Sequence, residues 1–109
     1  MLDVHGVKGS QNGYESSGFA NRTSWLSETE FSHYSMGEWM GPWDKSKGEY
    51  KEIKKDNIDW ALDTVQGLLD EWGKHPALYA IQPVNEPWAL SDMDTLFKFY
   101  QDARKMIKD

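Results

Sequence analysis

The chain has 109 residues, a formal charge of −6 and a pI near 5.0. This acidity leaves no basic footprint for nucleic acid, and the charges are mixed along the chain with no long single-sign block. The absence of cysteine excludes disulfides, thiolate metal sites and a thiol nucleophile, and no apolar run approaches the roughly 20 residues of a membrane span.

Leu2 to His5 reads as a short extended segment, with Asp3 and His5 on one face and Leu2 and Val4 on the other. Met1 leads straight into it, so the N-terminus does not read as a signal peptide. From Gly6 to about Gly48 no periodicity is sustained, and Gly, Ser, Asn and Trp are frequent. So long a stretch inside a compact domain is expected chiefly where it is functional. Short helical turns fit around Trp25 to Tyr34, and Asn21-Arg22-Thr23 matches the acceptor pattern for N-glycosylation.

From about Glu49 to Trp72 the pattern turns helical. Ile58, Leu62, Val65, Leu69 and Trp72 recur at spacings of four and three, with Ala61 and Leu68 widening the stripe. Gly73 suits a left-handed cap, and His75-Pro76 ends the helix. Gly67 sits mid-helix at up to about 1 kcal/mol against Ala; close packing on a neighbour would account for it. Ala77 to Val84 reads as a buried parallel strand in which Pro83, unable to donate to a ladder, predicts a bulge or irregular final turn. A helix follows from about Asp92, with Ser91 as cap and Asp94 completing a capping box. Its expected inner face is Met93, Leu96, Phe97, Tyr100, Ala103 and Ile107.

Asn85-Glu86-Pro87 is the most informative motif, because it follows the apolar run Ala77-Leu78-Tyr79-Ala80-Ile81 and precedes the last helix. Strand, acid at the carboxyl tip, then helix is how (β/α) barrels carry catalytic groups. Glycoside hydrolysis needs carboxylates held in that way, one to protonate the leaving oxygen and a second to attack or to activate water. Taken alone, the tripeptide also fits an ordinary strand-to-helix turn with a solvated Glu.

A second motif lies near the start, in Leu2-Asp3-Val4-His5-Gly6 followed by Lys8-Gly9-Ser10-Gln11-Asn12-Gly13-Tyr14. Together with Asn85-Glu86-Pro87, in that order, it resembles glycoside hydrolase family 5, specifically its exo-β-1,3-glucanase-like branch. The resemblance runs from about Leu2 to Arg104. It implies an α/β fold, the (β/α)8 TIM barrel. A whole barrel takes about 250 residues, so residues 1–109 would be a partial catalytic domain, from about strand 3 to helix 4 of the barrel. Such a piece leaves two strand edges unpaired and is expected to be inactive by itself.

The resemblance also implies roles. Glu86 matches the general acid/base, which must be protonated to cleave and ionised to activate water. Asn85 matches the residue that bonds the sugar hydroxyl beside the reacting carbon, and His5 a histidine of the first subsite. Tyr14 falls where the branch carries a clamping aromatic, often Phe, and Glu15 where an Asp is usual. Trp88 is a further candidate for substrate binding. The nucleophile would be a second Glu at the end of strand seven, beyond Asp109, giving a retaining mechanism. No metal or organic cofactor is implied, and His5, His33 and His75 lack close ligand spacing. The implied partner is a β-glucan, most simply β-1,3-linked, and the implied location extracellular or in the cell wall. Two alternatives stay open: a β-1,4-glucanase or β-mannanase of the same clan, and a non-catalytic carbohydrate-binding protein on a degenerate barrel.

Six tryptophans in a chain of this length bear on that choice. Trp60 and Trp72 fall on the predicted helix and are expected in the core. Trp25, Trp39, Trp43 and Trp88 fall in loops or at the strand tip, where exposed rings can serve as platforms for sugars.

Overall fold

The computed structural model describes residues 1–18 and 37–108. The expected helical turns near Trp25 to Tyr34, the Asn21-Arg22-Thr23 site and His33 lie outside the described residues. In chain order the elements are β1 (Leu2–Asp3), a 3-10 turn (Glu15–Ser17), β2 (Trp43–Asp44), β3 (Glu49–Tyr50), α1 (Lys55–Trp72), β4 (Ile81–Gln82) and α2 (Met93–Lys108).

β1 and β4 pair in parallel, Leu2 opposite Ile81 and Asp3 opposite Gln82. The Leu2 amide donates to Ala80 O at 3.0 Å and the Val4 amide to Gln82 O at 3.1 Å. A regular parallel ladder would next have the Val84 amide donate to Val4 O. The Asn85 amide makes that bond instead, at 2.9 Å. The run through Pro83 therefore carries one extra residue, an irregularity where one is expected, although the amide displaced from the ladder is that of Val84 and not a donor missing at Pro83. The strand itself is shorter and less buried than expected: only Ile81–Gln82 is strand, Ala77 and Tyr79 are exposed, and Val84 alone in the run is fully buried.

The helical run begins at Lys55 rather than near Glu49, because residues 43–50 form an antiparallel hairpin with Trp43 opposite Tyr50. Its turn is chemically specified. Asp44 Oδ1 accepts from the Ser46 amide at 2.9 Å and the Lys47 amide at 3.2 Å. Gly48 closes the loop at φ +66°, a left-handed conformation that favours glycine. Helical spacing is legible from Ile58 onward, but this local Asp-turn chemistry overrides it upstream.

α1 buries Asn57, Ile58, Ala61 and Val65, three or four residues apart, as an amphipathic helix should. A glycine within it and the one that follows it differ from expectation. Gly73 is right-handed, φ −58°, so no left-handed cap forms; a side chain there would run into Leu69 O. Among the described residues nothing lies within 4 Å of where a methyl group on Gly67 would stand, so none of them accounts for it. α2 starts one residue later than a Ser91 cap would set it. Asp92 Oδ2 accepts from the Thr95 amide at 3.0 Å and from the Thr95 hydroxyl, which makes Asp92 the cap. The Ser91 hydroxyl is already engaged, donating to Trp88 O at 2.6 Å.

The core collects Val4, Val7, Trp39, Met40, Ile58, Ala61, Val84 and Phe99, with Tyr50, Leu62, Leu68 and Leu96 packed on it. Trp39 meets Phe99 edge-to-face, centroids 5.0 Å apart, and its Nε1 donates to Asn57 O at 3.3 Å. This overturns two expectations. The inner face of α2 keeps the expected Ala103 and Leu96 but is centred on Phe99, whereas Met93 and Phe97 are about two-thirds exposed and Tyr100 is more than one-third exposed. The helix carries apolar residues on more than one side, so spacing alone does not choose the buried stripe. The tryptophans are inverted as well: helical Trp60 and Trp72 are 44% and 46% exposed, while loop residues Trp39 and Trp88 are 1% and 4% exposed.

Candidate functional site

The parallel pairing of β1 and β4 sets both carboxyl ends on one side, so the segment after each strand emerges beside the other. The loop from Gly9 to Gly13 fills the space between them. Ser10, Gln11 and Asn12 are all at most 2% exposed, an unusual depth for three consecutive polar residues. Hydrogen bonds account for it. Gln11 Nε2 donates to His5 O at 2.8 Å and to Asn85 O at 3.0 Å. Asn12 Nδ2 donates to Glu86 O at 2.9 Å, and Asn12 Oδ1 accepts from the Tyr14 amide at 2.8 Å. Ser10 Oγ accepts from the Gly13 amide at 2.7 Å and pairs with the Ser17 hydroxyl. The Trp88 amide donates to Gln11 O at 2.9 Å.

A third segment locks this loop from behind. The Glu38 amide donates to Gly9 O at 2.7 Å and the Trp39 amide to Ser10 O at 3.1 Å. The approach is close enough to require glycine at position 37, where a Cβ would overlap Ser10 O and lie 2.6 Å from the Asn12 nitrogen.

Glu86 sits on top of this clamp. Its φ is +45°, a region where a side chain with Cβ is strained and which recurs at functional positions. Its backbone carbonyl is held by Asn12, while the residue is exposed. The carboxylate is thus presented to solvent on a fixed backbone. Ser10, at φ +64°, is the other non-glycine residue with a positive φ among those described.

The remaining candidates divide. Asn85 is partly buried, its amide on Val4 O and its carbonyl on Gln11. His5 is exposed, and its Nε2 lies 2.7 Å from Asp3 Oδ2, as expected from strand alternation. Tyr14 is 42% exposed, and its carbonyl accepts from the Ser17 amide and hydroxyl. Glu15 opens the 3-10 turn; its side chain lies outside the described residues. The ring of Trp88 turns inward, edge-on to Trp43 at 5.1 Å and to Tyr50 at 6.5 Å. It therefore supports the Asn85-Glu86-Pro87 turn from beneath and offers no exposed face. Burial, then the Asp92 carboxylate, raise the Tyr50 hydroxyl to a pKa of about 12, so it is neutral at physiological pH.

Sequence reasoning assigns no role to Asn12 or Gln11. The signal that could have found them is the run Ser10-Gln11-Asn12 between Gly9 and Gly13, since polar residues bracketed by glycines suit a loop whose side chains bond backbone. Among the described residues no three His, Cys, Asp or Glu side chains gather closely enough to hold a metal ion, and no helix is long and apolar enough to cross a membrane.

A comparison with curated proteins finds similarity to a glucan 1,3-beta-glucosidase of Blumeria graminis, 29% identical over 106 residues, covering 94% of this chain and 18% of that protein. The chain thus spans less than one-fifth of that relative's length. No family model matches the chain, and no solved structure matches it. Across nearly its whole length, then, the chain is distantly similar to a glycosidase.

Proposed function

We propose that this chain is part of a retaining glycoside hydrolase acting on β-glucans, β-1,3-linked ones first, and that Glu86 is its general acid/base. The observation that carries the reading is Glu86 itself: an exposed carboxylate on a left-handed backbone, φ +45°, pinned through its carbonyl by Asn12 beside the tip of a parallel strand. The similarity to a glucan 1,3-beta-glucosidase supports the substrate class. In this reading the parent protein is a (β/α)8 barrel of glycoside hydrolase family 5, and residues 1–109 supply strand 3 to helix 4.

The chemistry divides between residues inside and outside this chain. Glu86 protonates the glycosidic oxygen as the bond breaks, then, ionised, draws a proton from the water that releases the sugar. Asn85 and His5 bond sugar hydroxyls near the reacting carbon, and Tyr14, with a partly exposed ring, stacks on a sugar further out. A second carboxylate, from a segment following Asp109 and about 5–5.5 Å from that of Glu86, attacks the anomeric carbon. No cofactor enters this scheme, and the parent acts outside the cell or in its wall.

The test is hydrolysis of laminarin and of an activated aryl β-glucoside by the full-length parent and its Glu86→Gln variant. The amide keeps the size of the side chain but cannot deliver a proton. Laminarin turnover is expected to fall by about 10²–10⁴-fold, and glycosylation by the aryl glucoside, whose leaving group needs little protonation, far less. Equal losses on the two substrates count against the acid/base role. A parent that binds laminarin and hydrolyses neither substrate is a carbohydrate-binding protein instead.

A further inference from the structure

We propose that Gln11 is a positioning residue, whose buried carboxamide holds the tips of β1 and β4 at the separation that His5 and Glu86 require. The inference rests on Glu86 being the acid/base and adds to that reading a residue that touches no sugar.

The two carbonyls that Gln11 Nε2 bonds belong to His5 and Asn85, six and 74 residues away in sequence. His5 follows β1, and Asn85 directly precedes Glu86. The last rung of the ladder is the bond from the Asn85 amide to Val4 O, so beyond it the two strands diverge with no mutual backbone bond among the described residues. Gln11 acts as one further rung, supplied by a side chain. Its orientation is set by its partners: both acceptors are carbonyl oxygens, and only the NH2 end of the amide can donate to them.

Filling space does not account for this residue. Gln11 is 2% exposed, and its Oε1 is buried with no hydrogen-bond partner among the described residues. An apolar side chain of equal length would fill the volume without an orphaned oxygen, and such an orphan in a native structure calls for a reason. The two donated bonds supply one. The neighbouring Asn12 then fixes the Glu86 carbonyl, so tip separation and carboxylate direction are controlled by adjacent residues of one loop.

The experiment compares the full-length parent with Gln11→Met, which keeps length and removes the donors, and with Gln11→Glu. Four quantities are read: kcat and KM on laminari-oligosaccharides, the same on an activated aryl β-glucoside, the thermal midpoint, and hydrogen exchange at the Asn85 and Trp88 amides. A misplacement of about 1 Å costs on the order of 100-fold in rate. Gln11→Met is therefore expected to lower kcat on oligosaccharides by about 30–100-fold with KM within about threefold, and to lower it much less on the aryl substrate. The Asn85 and Trp88 amides are expected to exchange faster. In Gln11→Glu the carboxylate cannot donate, whereas its buried acid form can make one of the two bonds, so activity relative to the parent is expected to recover in part as pH falls.

Equal losses on both substrates, or a lowered thermal midpoint with unchanged kcat per folded molecule, would reduce Gln11 to scaffold and overturn the proposal. Unchanged exchange at Asn85 and Trp88 would overturn it too. If the parent hydrolyses no β-glucan, the glycosidase reading fails by itself, and amide exchange still decides whether Gln11 holds the two tips.

Discussion

The loop from Gly9 to Gly13 and the helical layer of α1 and α2 bury their residues by different means. In the loop, burial is polar: Gln11 and Asn12 are inside because their side chains bond backbone groups of the Asn85-Glu86 segment, and Ser10 because its hydroxyl bonds the Gly13 amide and Ser17. In the helices it is mostly apolar and partial, with Ile58, Ala61, Val65, Phe99 and Ala103 inside, Trp60 and Trp72 a little under half exposed, and Met93 and Phe97 about two-thirds exposed. The first region tolerates almost no change in shape, because each bond is directional and each loss leaves a buried group unpaired. The second tolerates change on its outer faces. Precision is concentrated where the proposed chemistry is, and slack lies at the periphery.

Substitutions of one residue type in the two regions put that contrast at risk. Trp39→Ala is expected to remove about 3–5 kcal/mol of stability in denaturant unfolding, as for a large buried aromatic, whereas Trp60→Ala removes about 1 kcal/mol or less. A loss at Trp60 as large as at Trp39 would mean that its face is covered in the parent. Glycine gives a sharper pair. Gly37→Ala forces a methyl against Ser10 O and the Asn12 nitrogen and is expected to cost about 3 kcal/mol. Gly67→Ala meets nothing among the described residues and is expected to stabilise by up to about 1 kcal/mol. The same substitution thus changes sign between the regions, and two unfolding curves check it.

Asn12→Ala lies between these extremes. It removes the donor to Glu86 O and the acceptor for the Tyr14 amide, so about 1–3 kcal/mol should be lost. Activity should fall further than the folded fraction does. The smallest effect on stability is the most diagnostic of function. Glu86→Asn replaces a strained residue with one that adopts positive φ readily, so stability should rise by about 0.5–1 kcal/mol while laminarin hydrolysis disappears. A variant less stable than the parent would show that the left-handed backbone at Glu86 carries no strain for function to exploit.

Parts of this arrangement are legible in the sequence because they repeat. The stripe through Ile58 and Val65 and the end of α1 before His75-Pro76 follow from helical spacing, and the irregular tip of β4 falls where Pro83 marks it. The inverted tryptophans are not legible, since Trp39 and Trp88 are buried by contacts with Phe99, Trp43 and Tyr50, residues far off in sequence. Spacing does not single out Phe99, because Met93, Phe97 and Tyr100 make an equally regular stripe on another side of α2. The cap shifts from Ser91 to Asp92 because a tertiary turn claims the serine. For the site, the motif residues Glu86, Asn85 and His5 can be picked out by type and order. The bonds that hold them run through Gln11 and Asn12, and no periodicity announces those.

The perpendicular packing of Trp43 against Trp88, 5.1 Å apart at 85°, has a consequence outside chemistry and stability. Two indole rings held this close and this rigidly couple their electronic transitions, and a coupled pair of fixed handedness rotates polarised light far more strongly than either ring alone. One ring belongs to the hairpin and the other directly follows Asn85-Glu86-Pro87. The turn that carries Glu86 therefore has a built-in optical reporter. Its circular-dichroism couplet will fade when the turn lifts from the hairpin, while the helical signal of α1 and α2 persists.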